Sequence, residues 1–287
     1  MFSYIKYRLR EFVYGGSKIK IPRNALVLEV ASGGKPYWRS NILVDKFIVD
    51  NSERDEGETG AIIDRDFVVA DVTRLPFADK AFDFVIARHV LEHLPAPESF
   101  FKELQRVGKA GYIETPSSLA ENLYGWPFHI WEVDVKDAGL TLVPKQKDIN
   151  KQLKKLTKFF DADKNLAEFS REHRNVFYTG YYWENFIKYK VQYPQAAVIK
   201  EIESTNTDLT SFRLAEYRKK YRSKTRLKIF FNTWHRKLFG AKAFNLVDML
   251  RCIHCASQLR VDSNSNHLVC AGCRKIFDYI DRIPVVL

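Results

Sequence analysis

Residues Val68–Leu94 read VVADVTRLPFADKAFDFVIARHVLEHL, and the fold is decided within them. The apolar runs Phe67–Ala70 and Phe82–Ala87 are short, β-rich and bounded by Asp71 and Asp83. Strands buried on both faces of a parallel sheet have this composition. Ligands of such sheets gather at the carboxyl ends of the strands. Asp71 lies just past the first run, and Arg88, His89, Glu92 and His93 follow the second. Polar chemistry therefore collects where the crevice is expected.

Upstream, Ala25–Pro36 reads ALVLEVASGGKP, an apolar strand carrying Glu29 that runs into Ala31, Ser32 and the pair Gly33 and Gly34. Two residues without a Cβ let the backbone bend through unusual dihedrals and let a ligand approach closely. Ile42–Asp45, ILVD, reads as the next strand with a carboxylate at its end. A ribose diol needs two acceptors side by side, which one carboxylate supplies. Asp45 is the first choice for that role and Asp50 the second. No GxGxxG run occurs, which argues against a nicotinamide or flavin enzyme.

Together these motifs resemble the class I S-adenosylmethionine-dependent methyltransferases, in the branch where an LPF turn precedes FD and a VLEHL run. The resemblance implies a doubly wound, Rossmann-like α/β sheet, parallel with an antiparallel closing strand. It also implies a cofactor site drawn from Glu29, Ala31, Ser32, Gly33, Gly34, Asp45, Asp71, Val72 and Arg88. The glycine loop would touch the methionine part, Asp71 would lie near the adenine amino group, and backbone of Val72 would lie alongside. Ala31 and Lys35 stand where the family pattern has glycine, which motivates a competing reading as a non-catalytic scaffold. The implied reaction is in-line displacement of a methyl group from sulfonium, in which the protein chiefly positions and desolvates the partners. His89 is the first candidate for a base, because it stands in the loop facing the methyl group in related enzymes. Glu114 and His129 are the candidates from the other side, while Glu92 and His93 would orient the following helix. Tyr124, Trp126, Phe128 and Trp131 are candidates for a pocket wall.

Further along, Pro97–Val107 has the apolar spacing of a surface helix, and Gly111–Pro116 reads as a fifth strand. Phe128–Val135 and Leu140–Val143 suggest a hairpin. Tyr182–Val191 suggests a strand with Ile187, Tyr189 and Val191 buried. Asp148–Phe160 reads as a solvated helix, Met1–Phe12 as a helix packed on its own domain, and Thr205–Phe212 as a linker. The net charge of +11 is concentrated between Arg213 and Lys242, where eleven Lys or Arg residues face one acid, Glu216. Such a cluster raises the local concentration of polyanions. Within it Leu227, Phe230, Phe231, Trp234 and Leu238 fall at helical spacing, predicting a basic amphipathic helix whose apolar stripe docks on the catalytic domain. Contact with an anionic membrane surface or with RNA through 213–242 is the alternative. No stretch approaches the roughly 20 apolar residues of a membrane span, and the N-terminus lacks a secretory block, so a cytoplasmic location is expected.

The chain has four cysteines, in two CxxC pairs: Cys252 and Cys255, then Cys270 and Cys273 after fourteen intervening residues. Two such knuckles offer four thiolates to one tetrahedral zinc. Metal coordination would supply folding energy that so small a ribbon lacks. Leu268–Leu287, LVCAGCRKIFDYIDRIPVVL, resembles the small zinc-ribbon subunits that activate RNA and protein methyltransferases, with Phe277, Asp281, Ile283 and Pro284 at matching positions. That resemblance implies an intramolecular cap over an apolar strand or helix, or a contact for substrate. The expected organisation is a basic helix at 1–24, a methyltransferase domain at 25–204, a basic amphipathic linker at 205–245 and a zinc ribbon at 246–287. The expected acceptor is a small molecule, including lipid-linked or glycan precursors, with RNA or protein as the alternative.

Overall fold

The computed structural model describes residues 18–49, 60–145, 164–193, 209, 212–239, 243–262 and 265–287. The N-terminal helix at Met1–Phe12, the fallback acid Asp50 and the helix at Asp148–Phe160 lie outside the described residues. The chain divides into two compact units. The first holds the residues up to Ile86, Ser99–Lys109 and Ser204–Leu287; the second holds Ala87–Glu98 and Ala110–Glu203.

In the first unit β1 (Val27–Val30), β2 (Ile42–Asp45) and β3 (Asp66–Ala70) pair in parallel, with Leu28 opposite Ile42 and Val44 opposite Val68. Every residue of β1 and β2 is buried, which is why both read as apolar runs without alternation. The strand β4 (Phe84–Arg88) follows beside β1. Helix α1 (Pro97–Val107) buries Phe100, Phe101, Leu104 and Val107, the expected stripe. Near its end Arg106 donates to the carbonyls of Leu75 and Phe77 at 2.7 and 2.6 Å, and it pairs with Glu103 and Asp79. The LPF turn is thus held in place by a helix.

In the second unit β5 (Ala110–Pro116) pairs antiparallel with β8 (Tyr178–Glu184), so the antiparallel closing strand is present. The predicted hairpin is formed by β6 (Trp131–Lys136) and β7 (Gly139–Pro144). Helix α2 (Ser118–Tyr124) is capped by the Ser117 hydroxyl and ends on Gly125 in a left-handed conformation. Helices α3 (Lys164–Glu172) and α4 (Arg174–Phe177) lead into β8. The single strand expected over Tyr182–Val191 is instead divided. Asn185 adopts a φ of +63°, and the chain resumes as β9 (Tyr189–Val191), parallel to β7. Ile187 is buried as expected, but Tyr189 is exposed.

The C-terminal part of the first unit departs most from expectation. Of the expected linker Thr205–Phe212 only Leu209 and Phe212 are described, and both pack against a buried cluster that includes Leu43, Ile48, Phe67 and Val69. Helix α5 (Leu214–Lys219) places Tyr217 in that cluster, its hydroxyl donating to the carbonyls of Ile48 and Ala61. The basic helix α6 (Ser223–Phe239) does dock, but with the opposite face. Asn232 is buried and Ile229 packs against the cluster, whereas Leu227, Phe230, Phe231 and Trp234 are exposed. After α7 (Leu246–Met249), four antiparallel strands follow: β10 (Leu259–Val261), β11 (His267–Cys270), β12 (Ile276–Ile280) and β13 (Ile283–Val286). Strand β13 pairs in parallel with β3, Val285 opposite Val69. The ribbon is therefore built into the parallel sheet and covers the free side of β3.

Candidate functional site

The cofactor candidates other than Arg88 lie within or just after β1, β2 and β3, all in the first unit, whereas Arg88 ends β4 and falls in the second unit. After β1 the backbone turns through Ala31 at φ +50° and Gly33 at φ +52°. Alanine tolerates that left-handed conformation at a small cost, and glycine at none. A Cβ placed on Gly33 would meet nothing within 4 Å, so open space lies over the bend. The carbonyl of Gly33 accepts from Ile62 N, and Ser32 N donates to the Val44 carbonyl, which fixes the loop from both sides. Ser32 is buried, yet among the described residues its Oγ has no hydrogen-bond partner.

The acids divide into those spent on the loop and those beside the open space. Glu29 is buried, and its Oε2 accepts from Tyr37 N and Ser40 Oγ, both at 2.7 Å. It shapes the segment after the bend. Asp45 accepts from Gly33 N at 2.8 Å through Oδ2 and from Phe47 N at 3.0 Å through Oδ1. Asp71 is ringed by Lys46 Nζ at 2.8 Å and by Thr73, whose amide and hydroxyl both donate to it. Burial works to raise its carboxyl, but the bonds from Lys46 and Thr73 outweigh that and hold it below the usual carboxylate range. Val72 is buried and Lys35 exposed. Lys46 was not foreseen; nothing distinguishes a lysine after a strand acid from a solvated one until the fold brings Asp71 beside it.

The expected catalytic residues lie in the second unit. His89 follows β4 at φ +54°, a strained conformation for a residue with a Cβ, and its amide donates to the Glu114 carbonyl at 2.8 Å. Its ring stands between two buried carboxylates, with Nδ1 3.5 Å from Glu92 and Nε2 3.7 Å from Glu114. Glu114 also accepts from the Tyr112 hydroxyl at 2.8 Å and from Arg174 at 3.2 Å, and the Arg174 guanidinium lies over the Tyr178 ring. Glu92 and His93 sit on a short 3-10 turn, Leu91–His93. Burial pushes the His93 imidazole down to about 4, so it is neutral at neutral pH. His129 packs against His93 edge to face with centroids 4.7 Å apart, and its Nδ1 lies 2.6 Å from Glu121 Oε2. Lys145 donates to the other oxygen of Glu121 and to the Trp126 carbonyl. Of the expected pocket wall, Phe128 stacks on His93 and Trp126 lies against His129. Trp131 instead is core, fully buried and bonded to the Leu94 carbonyl. Glu121, Lys145 and Arg174 carried no signal in the sequence, since a helix glutamate reads as solvated until a partner buries it.

The four cysteines come together as two knuckles. Their sulfurs lie within 4.8 Å of one another, with Cys252 and Cys273 at 3.6 Å and Cys255 and Cys270 at 3.3 Å, and all four are free thiols. Four sulfurs around one zinc stand roughly 3.8 Å apart given a Zn–S bond near 2.3 Å, so the set fits a tetrahedral ion. Amides of His254 and Cys273 donate to Cys252 and Cys270 sulfurs, as bonds that stabilise thiolates do. Hydrogen bonds from Ser257 lower the Cys255 thiol to about 6.

Residues 46–113 match the methyltransferase domain family. This span holds Asp71, Val72, Arg88, His89, Glu92 and His93, and supports a class I methyltransferase and methyl transfer in general. It covers less than a third of the chain and ends before Glu114 and the cysteines. Several solved structures are similar. A chain from a complex containing the Haloferax volcanii Trm112 methyltransferase activator is 17% identical over 42% of this chain and 61% of its own, with a TM-score of 0.29. A Methanosarcina mazei S-adenosylmethionine-dependent methyltransferase is 19% identical over 41% and 69%, with a TM-score of 0.27. A Pyrococcus horikoshii protein is 19% identical over 53% and 88%, with a TM-score of 0.29. No curated protein matches the chain. Among the described residues, no helix is long and apolar enough to cross a membrane.

Proposed function

We propose that the protein is an S-adenosylmethionine-dependent methyltransferase acting on a small-molecule acceptor, lipid-linked or glycan precursors included. The bend after β1 carries this reading: a left-handed Gly33 under open space, a Ser32 hydroxyl with no hydrogen-bond partner among the described residues and the Asp45 carboxylate beside them. When bound, S-adenosylmethionine supplies a methyl group made electrophilic by its sulfonium. Asp45 would face the ribose hydroxyls, and Asp71 with the backbone of Val72 would meet the adenine edge. The Gly33–Gly34 backbone and Ser32 would hold its amino-acid end. Glu29 acts at one remove, by fixing Tyr37 and Ser40. His89 is the proposed proton acceptor, oriented by Glu92 and Glu114, with His129 as the second candidate. Cys252, Cys255, Cys270 and Cys273 hold one zinc, whose part is structural because four thiolates close the coordination sphere.

Calorimetry with S-adenosylmethionine on zinc-loaded protein tests the cofactor. Asp45→Ala is expected to weaken binding by about tenfold or more and, because it also leaves the Gly33 and Phe47 amides without their acceptor, to lower the melting temperature; Asp45→Asn, which keeps an acceptor oxygen, is expected to weaken binding with a smaller shift in melting temperature. Absence of measurable binding to the wild-type protein would sink the reading in favour of a scaffold. Methyl label from the cofactor is expected in small or lipid-linked acceptors; label confined to RNA, lost as salt rises, would overturn the acceptor class.

A further inference from the structure

The methyl-transfer reading uses Glu92 only to orient His89 and His129 only as a second proton acceptor, and it leaves His93 without a task. Glu92, His93 and His129 each offer a ligand atom, and these atoms lie within 4.8 Å of one another. Glu92 is 1% exposed, and among the described residues neither of its carboxylate oxygens accepts a hydrogen bond. His89 Nδ1 lies 3.5 Å from its Oε1. A buried carboxylate in that state costs several kcal/mol unless a cation meets it. Lys145 does not, because its ammonium bonds Glu121 and the Trp126 carbonyl.

His129 is arranged as metal-bound histidines are. A carboxylate only accepts, so the 2.6 Å contact with Glu121 makes Nδ1 the donor and leaves the lone pair on Nε2. A buried carboxylate behind one ring nitrogen, itself charge-balanced by a lysine, is the outer shell that orients a histidine ligand and fixes its tautomer. Glu121 is 1% exposed, so this support is enclosed.

We propose that Glu92, His93 and His129 bind one divalent first-row cation, separate from the four-thiol site. Two imidazoles and a carboxylate suit manganese, iron(II), cobalt or zinc, whereas the thiolate set selects zinc. Ligand atoms around one such ion stand roughly 3 to 3.5 Å apart, so modest side-chain rotations close the cluster on it. Three protein ligands leave positions open for an oxygen of the acceptor. That last role rests on the methyl-transfer reading; cation binding does not.

The test is a titration of the full-length protein, its thiol site loaded with zinc, with Mn(II), free ion being read by electron paramagnetic resonance. One Mn(II) per chain is expected to bind. Glu92→Gln and His129→Ala are each expected to weaken it by at least about tenfold, and Glu121→Gln by about tenfold while leaving the ligands in place. Circular dichroism melting checks each variant, and His129→Ala carries the comparison should Glu92→Gln fail to fold. Absence of uptake at millimolar Mn(II), or equal uptake by wild type and both ligand variants, overturns the proposal. Calorimetry with S-adenosylmethionine on the same samples separates the two readings. Cofactor binding without Mn(II) uptake removes the cation site alone, and Mn(II) uptake without cofactor binding removes methyl transfer alone.

Discussion

Asp64 shows how a single side chain in this protein carries long-range structure. It is paired bidentately with Arg65 at 2.7 and 2.8 Å and also contacts Arg236 at 3.4 Å, with its side chain 1% exposed. Burial alone would raise its carboxyl, but Arg65 and Arg236 more than reverse this and hold it below the usual range. Arg236 in turn is lowered to about 10, first by burial and then by Arg65. Removing one member of such a buried set leaves charge uncompensated, so Asp64→Asn is expected to cost about 3–5 kcal/mol at neutral pH in chemical denaturation. The sign of the pH dependence follows from the depressed folded-state value. The contribution is fully present above the unfolded pKa of about 3.9 and is lost as pH falls through the folded one. The gap between wild type and Asp64→Asn should therefore narrow below about pH 4; a constant gap would show that packing, not charge, makes the contribution.

Helix α6 shows how an element's pattern misleads when a chain has two candidate faces. Leu227, Phe230, Phe231 and Trp234 recur at helical spacing, and the ordinary inference is that such a stripe faces the core. The docked face instead carries Ile229, Asn232 and Arg236, because Asp64 takes the guanidinium and Tyr217 and Tyr221 from the preceding segment already fill the cluster. Phe230 and Trp234 are 66% and 54% exposed. The double variant Phe230→Ser, Trp234→Ser should thus shift stability by less than about 0.5 kcal/mol each. Tyr217→Ala, which empties a core position and abandons two carbonyls, should cost about 3–5 kcal/mol. Equal losses in the two would place the exposed stripe in the core after all. The sequence does give α1, the hairpin β6–β7 and the strands around them, since each buries one face or both and advertises it by period.

At the scale of the whole molecule, the ribbon and the parallel sheet are one structure. Strand β13 covers the side of β3 that would otherwise present unpaired backbone groups, and Leu214 N donates to Asp281 at the β12–β13 turn. The LPF turn takes part as well: Phe77 bridges Leu250, and Arg251 N donates to the Pro76 carbonyl. If zinc holds the knuckles, its removal unfolds more than the knuckles. Chelation, or Cys252→Ser, is expected to raise amide exchange in β10–β13 and also in β3, and to make the protein aggregate through the uncovered strand. Exchange confined to the knuckles would show that β13 holds to β3 without the metal.

The sequence by itself determined β1 to β5 and the β6–β7 hairpin, the glycine bend with its neighbouring acids, and the four-cysteine set, because each depends on local composition: apolar runs, residues without a Cβ, and paired CxxC spacing. Tertiary structure alone decided which face of α6 is inward, that β13 joins β3, and that Glu121, Lys145, Lys46 and Arg174 stand beside the residues the motifs had singled out. The physical reason is common to all of these. A charge or an apolar stripe is compatible with solvent or with a partner, and only a contact made far along the chain settles which environment it meets.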